Sequence, residues 1–176
     1  MLKRELFTIP NLLTLARMGL IGVYVPLYLR GEHFSAGILL ALSCLTDLAD
    51  GWVARRFHMT SQVGKILDPL ADKATQLALM LCLSMQYRPL GWVLGLFLVK
   101  EVLQLIGGLL CLGRGMPIPG ALPAGRACTA LLFVTLTILF LFPGIPLPAV
   151  LVLAVLDSAA LAMSLICYII AFGRQG

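Results

Sequence analysis

Six long apolar stretches, separated by short breaks rich in Pro, Gly and charge, set the pattern of this 176-residue chain. Each stretch is about 20 residues or longer, enough at the rise of an α-helix to cross the hydrocarbon of a bilayer. The pattern predicts helices over about 10–29, 34–56, 62–86, 89–112 and 122–142, and a sixth that begins after Pro146 and Pro148 and ends near Phe172. The stops and starts have local causes. Pro10 suits a first helical turn, Arg30-Gly31-Glu32 ends the first helix, and Thr60 and Ser61 are good N-caps for the third. Arg88-Pro89, the loop GRGMPIPGALPAG and Pro143-Gly144 make the later breaks. Residues 1–8, with Lys3, Arg4 and Glu5 among Leu2, Leu6 and Phe7, read as a short amphipathic helix on the membrane surface. The expected fold class is all-α, a polytopic membrane protein with six transmembrane helices and this interfacial N-terminal helix. No internal repeat or domain boundary is evident, so residues 1–176 are expected to form a single membrane domain.

Composition agrees. Mean hydropathy is +1.00, and 12% of residues are charged, about half the share in a soluble domain. The first residues do not read as a signal peptide, because Arg17 breaks the apolar run and no small-residue cleavage site follows. Lys3, Arg4, Arg55, Arg56, Arg114 and Arg174 fall on one side of a six-span layout, and Arg30 and Arg88 on the other. Basic loops face the cytoplasm, which puts both termini and the 56–61 turn there. The net charge of +5 suits an anionic lipid surface or a phosphate-bearing substrate. Basic residues are scattered, with no run of the kind that binds nucleic acid. The cysteines, Cys44, Cys82, Cys111, Cys128 and Cys167, sit in apolar runs without a C-x-x-C pair and read as small hydrophobes.

One stretch departs from the apolar pattern. Asp47, Asp50, Asp68 and Asp72 are four of the eight acidic residues in the chain, and all lie inside predicted spans. An intramembrane carboxylate costs a few kcal/mol on insertion scales, so four together need a shared reason. Asp47, Asp50, Gly51 and Ala54 follow i, i+3, i+4, i+7 on one helix face, and Gly64, Asp68 and Asp72 follow i, i+4, i+8 on the next. A short turn joins the two helices, so the faces can oppose each other, with all four acids roughly 9–16 Å from that turn. Crowded carboxylates stay ionised only beside cations. Lys65 and Lys73 are too few, and hard oxygen donors at this density suit a divalent ion such as Mg²⁺, Mn²⁺ or Ca²⁺. Gly51, Ala54 and Gly64 read either as close-packing residues or as room for a flat or phosphorylated group. Arg55 reads either as an anchor at the cytoplasmic rim or as a phosphate clamp. Pro69 removes the amide that would bond to the carbonyl of Lys65. A transporter would also carry membrane acids, but it leaves the Gly, Ala and Arg positions unexplained and would often show repeated halves. A scaffold with degenerate acids does not fit an intact set of four.

Written out, these residues read D-x2-D-G-x2-A-R-x8-G-x3-D-x3-D, which resembles the signature of the CDP-alcohol phosphatidyltransferase family. The segment Pro10-Asn11-Leu12-Leu13-Thr14-Leu15-Ala16-Arg17 is similar to that family's opening on helix 1. The resemblance implies six helices and a likeness to dimers. It implies that Asp47, Asp50, Asp68 and Asp72 hold two Mg²⁺ or Mn²⁺ ions, with Asp72 also the general base on the acceptor hydroxyl. It implies that Gly51, Ala54, Arg55 and Gly64 shape the CDP pocket, helped by Asn11 and Thr14. Within the family, TD-x2-DG-x2-ARR and LDPLADK most resemble the phosphatidylglycerophosphate synthases and the CDP-alcohol type of cardiolipin synthase. The implied reaction transfers a phosphatidyl group from CDP-diacylglycerol to glycerol 3-phosphate, releasing CMP. The alternatives are phosphatidylglycerol as acceptor, giving cardiolipin, or another CDP-alcohol phosphotransferase. An integral, multi-pass protein of a bacterial cell membrane is expected, with the lipid bilayer as its setting and a cytoplasmic active site. A homodimer is expected, and no nucleic-acid partner. Lys100, Arg114 and Arg126 are the candidates to bind the acceptor's phosphate. Lys100-Glu101 stands where the synthases tend to place an Arg-acid pair. Gly125-Arg126-Ala127-Cys128-Thr129 resembles their Gly-Lys-x-Lys-Thr stretch with Cys128 in place of one base. Asp157 is a lone acid in the sixth span, expected to pair with a polar or basic neighbour. His58 reads as a solvated turn residue, and Glu32 and His33 as an outer loop.

Overall fold

A computed structural model describes residues 9–57, 64–113 and 123–173, and side chains within 12–46, 69–111 and 125–173. The amphipathic segment 1–8, the turn with His58, Thr60 and Ser61, the loop with Arg114, and Arg174 lie outside the described residues. Six α-helices make up the described chain: α1 (Ile9–Leu29), α2 (His33–Phe57), α3 (Gly64–Gln86), α4 (Leu90–Gly113), α5 (Pro123–Leu141) and α6 (Leu147–Gly173). The ends fall within two residues of the predicted ones. His33 is a departure: it opens α2, with its ring edge-on to Tyr28 at 4.6 Å between centroids.

The breaks use the chemistry the sequence supplies. Gly31 has φ of +85°, the left-handed conformation that costs glycine least. It lets the Glu32 amide donate to Leu27 O and the Gly31 amide to Tyr28 O, both at 3.0 Å. Those two bonds satisfy the last carbonyls of α1 in a Schellman cap. Pro123 is the first residue of α5, where its missing amide costs nothing. Pro26 and Pro69 are carried inside α1 and α3.

The chain divides into two compact units, Met1–Cys82 and Leu83–Gly176. In the first, α1 folds back on α2 through the Gly31 turn. Buried on α1 are Thr14, Arg17, Tyr24 and Tyr28, and on α2 Ala36, Leu40 and Ser43. In the second, α4 and α5 each pack on α6. The buried residues of α6 are Val150, Ala154, Asp157, Leu161 and Ser164, a 4-3-4-3 spacing. Buried Val93, Phe97 and Lys100 in α4, and Cys128, Leu132, Thr135 and Leu139 in α5, repeat the spacing of 3 and 4. That is the seam of nearly parallel or antiparallel packed helices. At one end of this unit the Tyr87 hydroxyl donates to Pro143 O at 2.7 Å and Gln86 Nε2 to the same carbonyl at 3.3 Å.

Outward faces are apolar. Phe34 and Trp92 are each 82% exposed, and Val152, Val155, Met163 and Ile169 line the outside of α6. Such continuous apolar surface marks contact with something other than water. Leu12–Leu29, Leu90–Cys111 and Leu147–Gly173 are long and apolar enough to cross a membrane, while His33–Thr46 and Gly125–Leu141 are shorter apolar helices. The protein is an integral membrane protein.

Candidate functional site

The acidic stretch lies on α2 and α3. Residues 47–57 continue α2 without interruption, and α3 starts at Gly64. Helical backbone at 3.6 residues per turn puts Asp47, Asp50, Gly51 and Ala54 along one side of α2, with Arg55 beside them. It puts Gly64, Asp68 and Asp72 along one side of α3. The side chains of Asp47, Asp50, Ala54, Arg55 and Asp68 lie outside the described residues, as do those of Asn11 and Arg114.

Asp72 is described, and it has a partner absent from the candidates drawn from the sequence. Arg17 of α1 donates from Nη1 to Asp72 Oδ1 at 2.8 Å, bridging positions 55 residues apart. The pair is lopsided. The Arg17 side chain is 4% accessible and that of Asp72 is 58% accessible. The cation is sunk into the protein and the carboxylate stands open. Thr14, one turn before Arg17 on the same stripe, is fully buried. The signal for Arg17 was present in the sequence, as a lone base inside an apolar helix three residues after Thr14. What the sequence did not show is which acid it meets.

The candidate acceptor residues belong to the second unit. Lys100 is buried on α4 and donates from Nζ to Glu101 Oε1 at 2.9 Å. Arg126 is exposed in the first turn of α5. Asp157 is 1% exposed, and its Oδ1 accepts from the Thr135 hydroxyl at 3.3 Å, the polar partner expected for it. Cys128 is buried on α5, within electrostatic range of Lys100, Glu101 and Asp157. Thr129 folds its hydroxyl back onto Gly125 O at 2.8 Å. No disulfide joins the five cysteines.

A sequence model of the CDP-alcohol phosphatidyltransferases matches residues 7–171, nearly the whole chain. The chain belongs to this family. Among its relatives is a cardiolipin synthase (CMP-forming) of Streptomyces coelicolor, 32% identical over 146 residues, or 80% of this chain and 68% of the relative. A CDP-diacylglycerol–glycerol-3-phosphate 3-phosphatidyltransferase of Aquifex aeolicus is 32% identical over 110 residues, 60% of this chain and 61% of the relative. A cardiolipin synthase (CMP-forming)/mitochondrial hydrolase fusion protein of Schizosaccharomyces pombe is 38% identical over 85 residues, 48% of this chain but 14% of the fusion. The chain therefore spans less than two thirds of the length of two of these three relatives. Membership rests on the match to this sequence model. It covers α1 to α6 and so includes both the acidic stretch and the Lys100–Asp157 region.

Proposed function

We propose that this protein is a phosphatidylglycerophosphate synthase, which transfers the phosphatidyl group of CDP-diacylglycerol to glycerol 3-phosphate. The observation that supports it most is the full D-x2-D-G-x2-A-R-x8-G-x3-D-x3-D set on two successive helices of a chain that belongs to this family. In this reading Asp47, Asp50, Asp68 and Asp72 are the ligands of two divalent ions, Mg²⁺ or Mn²⁺. Their donor set fits: all are hard carboxylate oxygens, and the described one, Asp72, is both accessible and oriented. Such ions, when bound, stabilise charge on the diphosphate. Gly51, Ala54 and Gly64 leave room for the CDP moiety, with Arg55 on its phosphates and Asn11 at the start of α1. Thr14, without accessible surface, supports that wall from inside.

The reaction balances simply. Asp72 takes the proton of the acceptor hydroxyl, the alkoxide oxygen bonds to the β-phosphorus, and the phosphoanhydride bond to CMP breaks. Lys100, Arg114 and Arg126 are the cations proposed for the acceptor's phosphate. The whole chain acts as one six-span membrane domain, dimeric, with the site and both termini on the cytoplasmic side. A bacterial cell membrane is its proposed setting.

A second reading, cardiolipin synthase, is favoured by the Streptomyces relative, which aligns with 80% of this chain. Cys128, buried where the synthase stretch has a base, also weakens the case for a free phosphorylated acceptor. An acceptor screen separates the two. Purified protein in nanodiscs containing CDP-diacylglycerol is offered glycerol 3-phosphate, phosphatidylglycerol, inositol phosphate or serine. CMP release with phosphatidylglycerophosphate as the lipid product is the expected result. Cardiolipin formed from phosphatidylglycerol selects the second reading, and no CMP with any acceptor overturns both.

A further inference from the structure

A buried arginine in a membrane helix needs a counter-ion, and any carboxylate within reach would serve for stability alone. The Arg17–Asp72 pair has a different shape. Were the pair there only to neutralise Arg17, burying both partners would strengthen their attraction. Here the arginine is enclosed and the aspartate keeps more than half of its side chain accessible. The held group is the one that faces outward. The holder comes from α1, 55 residues away, and approaches Asp72 from the protein side. A planar guanidinium fixes a carboxylate by direction as well as charge, which a lysine's point charge does not.

We propose that Arg17 is a positioning residue for Asp72: α1 reaches across to α3 and fixes this open carboxylate in a single orientation. Arg17 acts through Asp72 and does not itself touch substrate. Thr14 and Tyr24 flank it along the same buried stripe, so the guanidinium is held by a packed helix face. The inference rests on the reading of Asp72 as a metal ligand. Outer partners that orient a ligand typically contribute 10- to 100-fold in metal affinity.

The test compares Arg17→Lys, Arg17→Gln and Asp72→Asn with the unmodified protein in nanodiscs. Mn²⁺ affinity is read by electron paramagnetic resonance and fold by thermal unfolding. Arg17→Lys keeps the charge and so protects the fold. Its expected result is Mn²⁺ affinity weakened about 10-fold or more, with Arg17→Gln weaker still and the unfolding temperature of Arg17→Lys near that of the parent. Asp72→Asn should weaken binding at least as much. If Asp72→Asn weakens Mn²⁺ binding and both Arg17 variants leave it unchanged, Arg17 serves stability only and the proposal is overturned while the metal reading stands. If Asp72→Asn binds Mn²⁺ like the parent, the metal reading of Asp72 fails and the proposal falls with it.

Discussion

Asp72 and Asp157 are both aspartates in apolar helices, yet their surroundings assign them different work. Asp72 is open and held from one side by Arg17. Asp157 is buried on the α6 seam, with its Oδ1 taken by Thr135. Accessibility is what admits a substrate proton, which suits Asp72 to the proposed base role. Asp72→Asn keeps the size of the side chain and removes its capacity to accept that proton. At saturating Mn²⁺, CMP release from that variant should fall by about 10²- to 10⁴-fold, while CDP-diacylglycerol still binds, as read by equilibrium binding of labelled lipid. Turnover near the parent's would remove Asp72 from the base role.

Helices α4 and α6 approach each other closely. Gly107 of α4 lies against Tyr168 of α6, whose hydroxyl donates to Gln104 O at 3.1 Å. A methyl group on Gly107 would come within 3.2 Å of two ring carbons of Tyr168 and nearer still to its hydroxyl. Gly108, next in the chain, faces open space. Gly107→Ala should therefore lower stability by about 1–3 kcal/mol, the usual cost of overpacking, seen as a lower unfolding temperature in detergent. Gly108→Ala should unfold within a degree or two of the parent, since alanine also favours helix. Equal unfolding temperatures for the two variants would mean that α4 and α6 are not packed this closely.

For the molecule as a whole, the proposal stands on four aspartates in two apolar helices, which crowded together would call for cations. Chelation with EDTA should abolish CMP release, and added Mg²⁺ or Mn²⁺ should restore it. Transfer that persists in EDTA would remove metal from the proposal. Lys100 and Arg126, proposed for the acceptor's phosphate, belong to the second unit, as does Cys128. Lys100 is already paired with Glu101 at 2.9 Å, so an acceptor phosphate there would have to compete with that carboxylate.

Sequence alone determined the helices, because their signals are local. Apolar runs of spanning length, Gly31 at a left-handed cap and Pro123 at a helix start each act within a few residues. It also determined the family and the register of the acids, since spacing along a helix translates directly into a shared face. Only the tertiary structure decided what lies opposite each face. That Arg17 meets Asp72 and that Thr135 meets Asp157 are long-range pairings. Periodicity tells a residue which way to face within its own helix. It carries no information about which of the other helices will be there, and that choice is made by the packing of whole faces against one another.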